Sequence, residues 1–321
     1  MEDSPTGMPE SPEIDLVFSG HQSFSLRISW LPKAFEQLVA GIDPFSEPRR
    51  GMMLLGLGKN MVESLSFWVE ATGIAARGAH GHLEPTEFGR RVLCRETGYD
   101  PYLEHVQTLW LIHWNLCRGW RRGGVNLRPY AWHFYANILP DHEFSRFEAI
   151  DHFSGAVAGY SRPLSPTTLK QHFDVFIRTY VSGEKAGPRS TPEDTLDSPL
   201  TTLGLIRSGI GHTGGRRDTI YRVDASAKGS ISLETFRFAL HDWWNDARST
   251  EQRVTLRELS IAAGSPGRVF KLPESEVYDR VVRLANDHPQ ELRLVDSQNQ
   301  RALERMRRRT PEAILRSIYR K

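Results

Sequence analysis

Residues 48–72 specify two short helices that are separated by a glycine-rich turn. Pro48 suits the first turn of a helix, residues 56–58 are predicted to form the turn, and Asn60 can cap a second helix predicted at 61–72. The apolar residues of that second helix recur at intervals of three and four positions, and they are Val62, Leu65, Trp68 and Val69. Because this spacing places them on one face, the segment is predicted to be a helix-turn-helix.

A similar order of segments occurs twice in the chain. After the first helix pair, residues 74–83 suit two short strands around a loop, and residues 85–93 return to helix. Near the C-terminus, the predicted segments are a helix at 255–263, a turn at 264–267, a helix at 273–286 and strands at 292–295 and 301–303. The predicted fold is therefore mainly α with small β wings, in which two winged-helix-like units are joined by a helical middle.

Composition changes along the chain and divides it into five predicted parts. Residues 1–15 contain five carboxylates and no lysine or arginine, whereas residues 182–198 are polar and rich in glycine, proline and serine. The predicted parts are an acidic disordered tail at 1–15, an N-terminal winged-helix-like domain at 16–95, a helical middle at 96–181, a linker or long loop at 182–198 and a C-terminal winged-helix-like domain at 199–321.

Further elements are predicted from local signals. Asp100 is followed by Pro101, a pair that favours the start of a long helix continuing to Leu116. The remaining predictions are helices at 131–139, 145–160, 165–181 and 230–246 and a strand at 219–223.

The overall composition is that of a globular protein, with 39% hydrophobic and 25% charged residues among 321. Cys94 and Cys117 are the two cysteines and lack CxxC spacing, which argues against a disulfide framework and a zinc ribbon. The longest apolar run, at 109–116, is far shorter than the ~20 residues of a membrane-spanning helix. The N-terminus also lacks a secretory signal pattern. We therefore expect a cytoplasmic protein with no membrane partner.

Positive charge is concentrated in local segments, although the formal net charge is only +2. Residues 118–128 carry four arginines and no carboxylate. Such basic blocks suit contact with a polyanion. The alternative is that they form ordinary solvated faces.

Double-stranded DNA is the partner that these patterns favour. Cations and helix-terminal amides fix a protein on the phosphate backbone, while side chains on the exposed helix face meet base edges. The candidate DNA-binding residues are Lys59 and Asn60 in the first unit, Arg121 and Arg122 in the basic segment, and Arg268 and Lys271 in the second unit. The alternative is that the helix pairs serve packing or contact with another protein.

Two residue pairs are candidates for phosphodiester hydrolysis. His21 and Arg27 suit a general base and a phosphate clamp, whereas Asp100 and Glu104, at positions i and i+4 of the predicted helix, suit a divalent metal such as magnesium or manganese. The structural alternatives are a helix cap for Asp100 and an internal tie for Arg27. The sequence LGLGKN around Lys59 lacks the spacing of a phosphate-binding loop, so neither a nucleotide nor a flavin is expected.

Four separated motifs resemble one bacterial family. They are FSGHQSFSLRISWLPK, LGLGKNMVESLSFW, DPYLEHVQTLWLIHW and GSPGRVFKL, and the resemblance runs from Phe18 to Tyr319. The family was first described as a domain of unknown function and is found with DNA phosphorothioation and phage-defence genes. The chain looks like the family's DNA-nicking component, which works beside a cysteine desulfurase and an ATP-using sulfur-transfer protein.

This resemblance implies that the protein nicks one DNA strand so that its partners can incorporate sulfur. Winged helices would hold the duplex while the helical middle positions the cleavage chemistry. The alternative is a non-catalytic DNA-binding adaptor or regulator that recruits the sulfur-transfer machinery.

Overall fold

A computed structural model describes residues 18, 20–119, 129–159, 163–183, 198–213, 216–297 and 300–320. The predicted tail at 1–15, the candidates Arg121 and Arg122, and most of the predicted linker lie outside these residues. Within them, no helix is long and apolar enough to cross a membrane.

The N-terminal part contains the predicted pair of helices and the predicted pair of strands. Gly56 adopts a left-handed conformation with φ of 62° and ends the first helix of the pair. The elements are α1 (Trp30–Val39), α2 (Pro48–Leu55), α3 (Lys59–Ala71), β1 (Ala75–Arg77), β2 (Leu83–Pro85) and α4 (Glu87–Leu93). The order of helix, turn, helix and hairpin is therefore confirmed for this part.

The middle of the chain is helical, as predicted. Its elements are α5 (Val106–Cys117), α6 (Tyr130–His133), a π-helical turn (Phe134–Ile138), β3 (Glu143–Ser145), α7 (Arg146–Val157) and α8 (Pro166–Tyr180). The predicted helix at 131–139 thus changes its hydrogen-bond register partway, which is uncommon and leaves backbone carbonyls in need of other partners.

The predicted helix start at Asp100 is wrong, because α5 begins later, at Val106. The carboxylate of Asp100 folds back onto the chain and accepts from the backbone N–H groups of Glu104, at 2.9 Å, and His105, at 3.0 Å. Leu103 has a φ of 59°, outside the right-handed helical region. The ring of His105 caps α5 instead. Asp100 and Glu104 therefore do not share a helix face.

The C-terminal part begins with a 3₁₀ turn (Pro199–Leu203) and a long hairpin of β4 (Ile206–Thr213) and β5 (Arg216–Val223). The remaining elements are α9 (Leu233–Ala247), β6 (Arg253–Thr255), α10 (Leu256–Ile261), α11 (Pro266–Val269), α12 (Glu274–Asp287), β7 (Leu292–Ser297), β8 (Gln300–Arg305) and α13 (Pro311–Ile318). The helices and strands predicted here are present, whereas β4, β6, α11 and α13 were not predicted, and α11 begins within the predicted turn at 264–267.

All strand pairs in the described part are antiparallel, and they form three small sheets. β1 pairs with β2, the second sheet has the order β3-β5-β4, and the third has the order β6-β8-β7. Because β3 precedes residues 184–197 and β5 follows them, the second sheet joins chain segments from both sides of the predicted linker.

Aromatic side chains dominate a core that runs through all three parts of the chain. The rings of Trp68 in α3 and Trp132 in α6 meet edge to face at 5.3 Å, and those of Trp110 in α5 and Phe270 do so at 5.8 Å. Such pairs add to the stabilisation from apolar burial. The described residues therefore share one continuous hydrophobic cluster.

Candidate nucleic-acid interface

The start of α3 presents a cation and an amide side chain to solvent. Lys59 is 66% exposed, with its Nζ 3.9 Å from Oε1 of Glu63, and Asn60 is exposed beside it. Gly58 occupies the N-cap position and no side chain caps the helix, so the predicted cap at Asn60 is wrong. The uncapped amide groups and the positive end of the helix dipole favour an anion here. This geometry suits contact with a phosphate.

Two further cations lie on the helix that precedes this position. Arg49 and Arg50 of α2 are exposed in the structure. The nearby carboxylate of Glu63 accepts a hydrogen bond from Nε2 of Gln22 at 2.9 Å. The first helix pair therefore carries exposed cations on both of its helices.

Arg268 and Lys271 are held differently, against the backbone of the π-helical turn. The Arg268 guanidinium donates to the carbonyls of Asn137, at 2.9 Å, and Leu139, at 3.3 Å, while Nζ of Lys271 donates to the carbonyl of Ala136. Burial, and secondarily the charge of Arg268, lowers the pKa of Lys271 to about 7. These cations join the residues before α12 to the helical middle, and their predicted contact with DNA stays a prediction.

A solvent-open groove lies at the start of α12, the second helix predicted to read DNA. It has a volume of about 590 Å³, and its lining includes Arg257 on α10, Glu274, Ser275 and Tyr278 on α12, and Arg301 on β8. The Arg301 guanidinium stacks over the ring of Tyr278 at 4.9 Å, and its Nε lies 3.6 Å from Oδ2 of Asp296. Arg257 and Arg301 were not among the predicted contacts, although Arg301 lies in the predicted wing.

His21 is buried and fully engaged rather than open to a substrate. Its Nδ1 donates to the carbonyl of Gln22 at 2.7 Å, and its Nε2 accepts from Nδ1 of His172 at 2.6 Å. Burial lowers the pKa of His21 to about 4 and that of His172 to about 3. Both rings are therefore neutral at pH 7, which fixes the donor and acceptor roles of this pair.

The backbone around His21 is a strap between α3 and α8. The carbonyl of His21 accepts from Oγ of Ser64 at 2.9 Å, that of Ser23 accepts from Nη2 of Arg178 at 2.7 Å, and that of Phe24 accepts from Nε1 of Trp68 at 3.2 Å. The motif FSGHQSFSLR thus binds two helices that are distant in sequence.

Arg27 lies at the end of this strap and stacks on aromatic rings. Its guanidinium is 5.7 Å from the ring centroid of Phe24 and 5.1 Å from that of Trp30. The arginine whose charge acts on His21 is Arg178. The guanidinium of Arg27 therefore packs against these two rings, and its role as a phosphate clamp beside His21 stays a prediction.

The carboxylates predicted to hold a metal have unlike surroundings. Asp100 is buried and uses both oxygens for backbone N–H groups, whereas Glu104 is exposed. Across the described residues, no group of three or more His, Cys, Asp or Glu side chains is placed to hold a metal ion. Both oxygens of Asp100 are thus occupied by backbone donors, and the metal-binding role of Asp100 and Glu104 stays a prediction.

Comparison with known proteins defines the class to which this chain belongs. Residues 18–319 match the model of the family described as protein of unknown function, DUF4007. The chain belongs to this family. No curated protein sequence matches it significantly.

Solved structures give a more specific likeness. A crystal structure of magnesium ion-bound SspB is similar to this chain with a TM-score of 0.77 and 26% sequence identity, covering 94% of this chain and 86% of that one. A second SspB crystal structure gives a TM-score of 0.76 with the same identity and coverage. The resemblance predicted from the four sequence motifs is thereby confirmed over most of the chain.

Proposed function

We propose that this protein binds duplex DNA and nicks one strand as a component of a DNA phosphorothioation system. The observation that carries the proposal is the likeness to SspB over 94% of the chain at a TM-score of 0.77. The four sequence motifs independently resemble the nicking component of such a system. In that role, the protein would act with a cysteine desulfurase and an ATP-using sulfur-transfer protein.

DNA binding is proposed to use two winged-helix-like units. In the first, the exposed Lys59 and Asn60 at the uncapped start of α3 contact phosphates. In the second, the groove between α12 and β8 receives the duplex, with Arg257 and Arg301 as exposed cations. In protein–DNA complexes generally, phosphate contacts fix the position of the protein and contacts in the groove read the sequence.

A divalent cation is proposed as a requirement for nicking, since one of the similar SspB structures is magnesium-bound. Of the four predicted catalytic residues, Glu104 has an exposed side chain, whereas His21, Arg27 and Asp100 are buried. Of the two predicted catalytic pairs, the one that contains Glu104 is therefore tested more directly, because a change at an exposed side chain is expected to leave the fold intact.

Nicking is tested by incubating the full chain with supercoiled plasmid and Mg²⁺ or Mn²⁺. The proposal predicts that open-circular product forms with the metal and does not form when a chelator is present from the start. Binding is measured in parallel for wild type, Glu104→Gln and His21→Gln. Loss of nicking with intact binding and folding marks the responsible residue. Full nicking by both variants would move the search to other residues.

The alternative function is a non-catalytic adaptor or regulator that binds DNA and recruits the sulfur-transfer proteins. It is favoured by one observation: the ring nitrogens of His21 and the carboxylate oxygens of Asp100 are hydrogen-bonded to partners inside the protein. Plasmid that is bound but stays supercoiled with either metal would establish this alternative over the nickase.

A further inference from the structure

The hairpin of β4 and β5 has an anchored half and a projecting half. In the anchored half, Ile206 and Tyr221 are buried. The ring of Tyr221 lies 6.0 Å from that of Phe144 and 5.6 Å from that of Phe173, which fixes the base of the hairpin to β3 and α8. The hairpin is therefore attached to the core at one end.

In the projecting half, side chains of mixed character share one face. The register pairs Ile210 with Thr219 and His212 with Arg217, so these four residues lie on the same side of the ribbon. Ile210 is 65% exposed, and His212, Arg217 and Thr219 are exposed as well. An isoleucine flanked by an arginine and two hydrogen-bonding side chains is thus presented to solvent.

The hairpin is also basic. Residues 206–223 contain four arginines and one aspartate, which gives a formal charge of +3 with histidine neutral. Asp218 uses Oδ1 to accept from the backbone N–H of Thr219 at 2.7 Å, and Arg222 is paired with Glu143. Among the described residues, no carboxylate forms an ion pair with Arg217. Arg217 therefore remains as an exposed cation in the projecting half, and Arg207 as one in the anchored half.

We propose that this projecting half enters the major groove of duplex DNA, an inference that rests on the proposed DNA-binding function. The major groove is about 12 Å wide and admits a two-stranded β-ribbon. Arg217 contacts a phosphate or the acceptor edge of guanine, and Ile210 packs against base edges such as the thymine methyl group. The hairpin is then a third contact, separate from α3 and from the groove at α12.

The test compares two arginines of the same strand. Arg217→Gln removes the cation of the projecting face, whereas the matched control Arg222→Gln removes one that is paired with Glu143 on the opposite face. Duplex affinity of the full chain is measured against salt concentration. Arg217→Gln is expected to lower affinity about tenfold and to reduce the salt slope by about one. Arg222→Gln is expected to keep both values.

Guanine N7 faces the major groove, so its protection from methylation reports where the ribbon lies. The wild-type chain is expected to protect a patch of guanines that Ile210→Ser with Arg217→Gln no longer protects. Both side chains are solvent-exposed, so the variant is expected to fold. In the same variant, guanines elsewhere on the duplex are expected to stay protected, because α3 is unchanged and still contacts DNA.

The possible results separate this inference from the proposed function. If the wild type binds no duplex, both are overturned. If the wild type binds and Arg217→Gln matches it, only the hairpin contact is overturned. Weaker self-association of Arg217→Gln with unchanged DNA affinity would assign the hairpin to a second copy of the chain and would equally overturn the groove contact.

Discussion

The start of α3 and the segment before α12 carry similar residues in similar sequence positions, yet the structure uses them in opposite ways. Lys59 extends into solvent with 66% of its side chain exposed. Lys271 donates to the Ala136 carbonyl, and Arg268 donates to two carbonyls nearby. A cation at a helix-turn-helix is therefore not by itself evidence of a DNA contact, because its N–H groups can be hydrogen-bonded to nearby backbone carbonyls instead.

The π-helical turn explains this difference. Its wider register ends with a bond from the N–H of Leu139 to the carbonyl of Phe134, and the carbonyls near its end have no helical partner. Arg268 and Lys271 supply the missing donors from the C-terminal part. The start of α3 follows a glycine turn directly, and Lys59 there stays 66% exposed.

The largest expected effect is on stability. The double change Arg268→Ala and Lys271→Ala leaves three buried or half-buried carbonyls without these donors and is expected to lower the free energy of unfolding by about 3 kcal/mol. The matched change Lys59→Ala with Asn60→Ala removes exposed side chains and is expected to cost less than about 0.5 kcal/mol. Chemical denaturation of the full chain measures both. Equal losses would show that the two regions do not differ as the structure indicates.

The predicted metal-holding carboxylates repeat this contrast on a smaller scale. Asp100→Ala removes the acceptors of two backbone N–H groups and is expected to lower the free energy of unfolding by about 2 kcal/mol. Glu104→Ala is expected to change it by less than about 0.5 kcal/mol, because that side chain is exposed. A larger loss for Glu104 than for Asp100 would contradict the description of this loop.

Lys271 also predicts a pH dependence. Its pKa is about 7 in the folded protein and higher in the unfolded chain, so above pH 7 the unfolded state binds more protons. Stability from this group therefore rises with pH, by at most about 1.4 kcal/mol per pH unit. Denaturation between pH 7 and 8.5 is expected to show a steeper rise for wild type than for Lys271→Met, whereas Lys59→Met keeps the wild-type slope. Identical slopes for all three proteins would refute this.

Local sequence signals predicted most of the helices but not the roles of their flanking residues. The spacing of Val62, Leu65 and Trp68 predicted α3, because a helix with one buried face has apolar residues at intervals of three and four positions. Asp100 and Pro101 gave a false helix start, because the carboxylate closes a non-helical loop instead. The hydrogen bond from Nζ of Lys271 to the carbonyl of Ala136 joins residues that are distant in sequence, so no local pattern could predict it.

The hairpin of β4 and β5 was missed for a different reason. The sequence SGIGHTGG contains four glycines, which lowers strand propensity and hides β4. The Gly-Gly pair shortly before the predicted strand at 219–223 was the available signal, since such pairs are typical of hairpin turns. Among the candidate site residues, the exposure of Lys59 and Asn60 agrees with the sequence-based expectation, while the burial of His21 required the packing of α8 to be known.

The salt dependence of duplex affinity tests the central contrast most directly. The full chain is compared with Lys59→Ala combined with Asn60→Ala, by titrating a labelled DNA duplex over a range of salt concentrations. The exposed start of α3 predicts about tenfold weaker binding and a salt slope smaller by about one, with unchanged stability. Unchanged affinity and slope in the folded variant would contradict a DNA contact at α3.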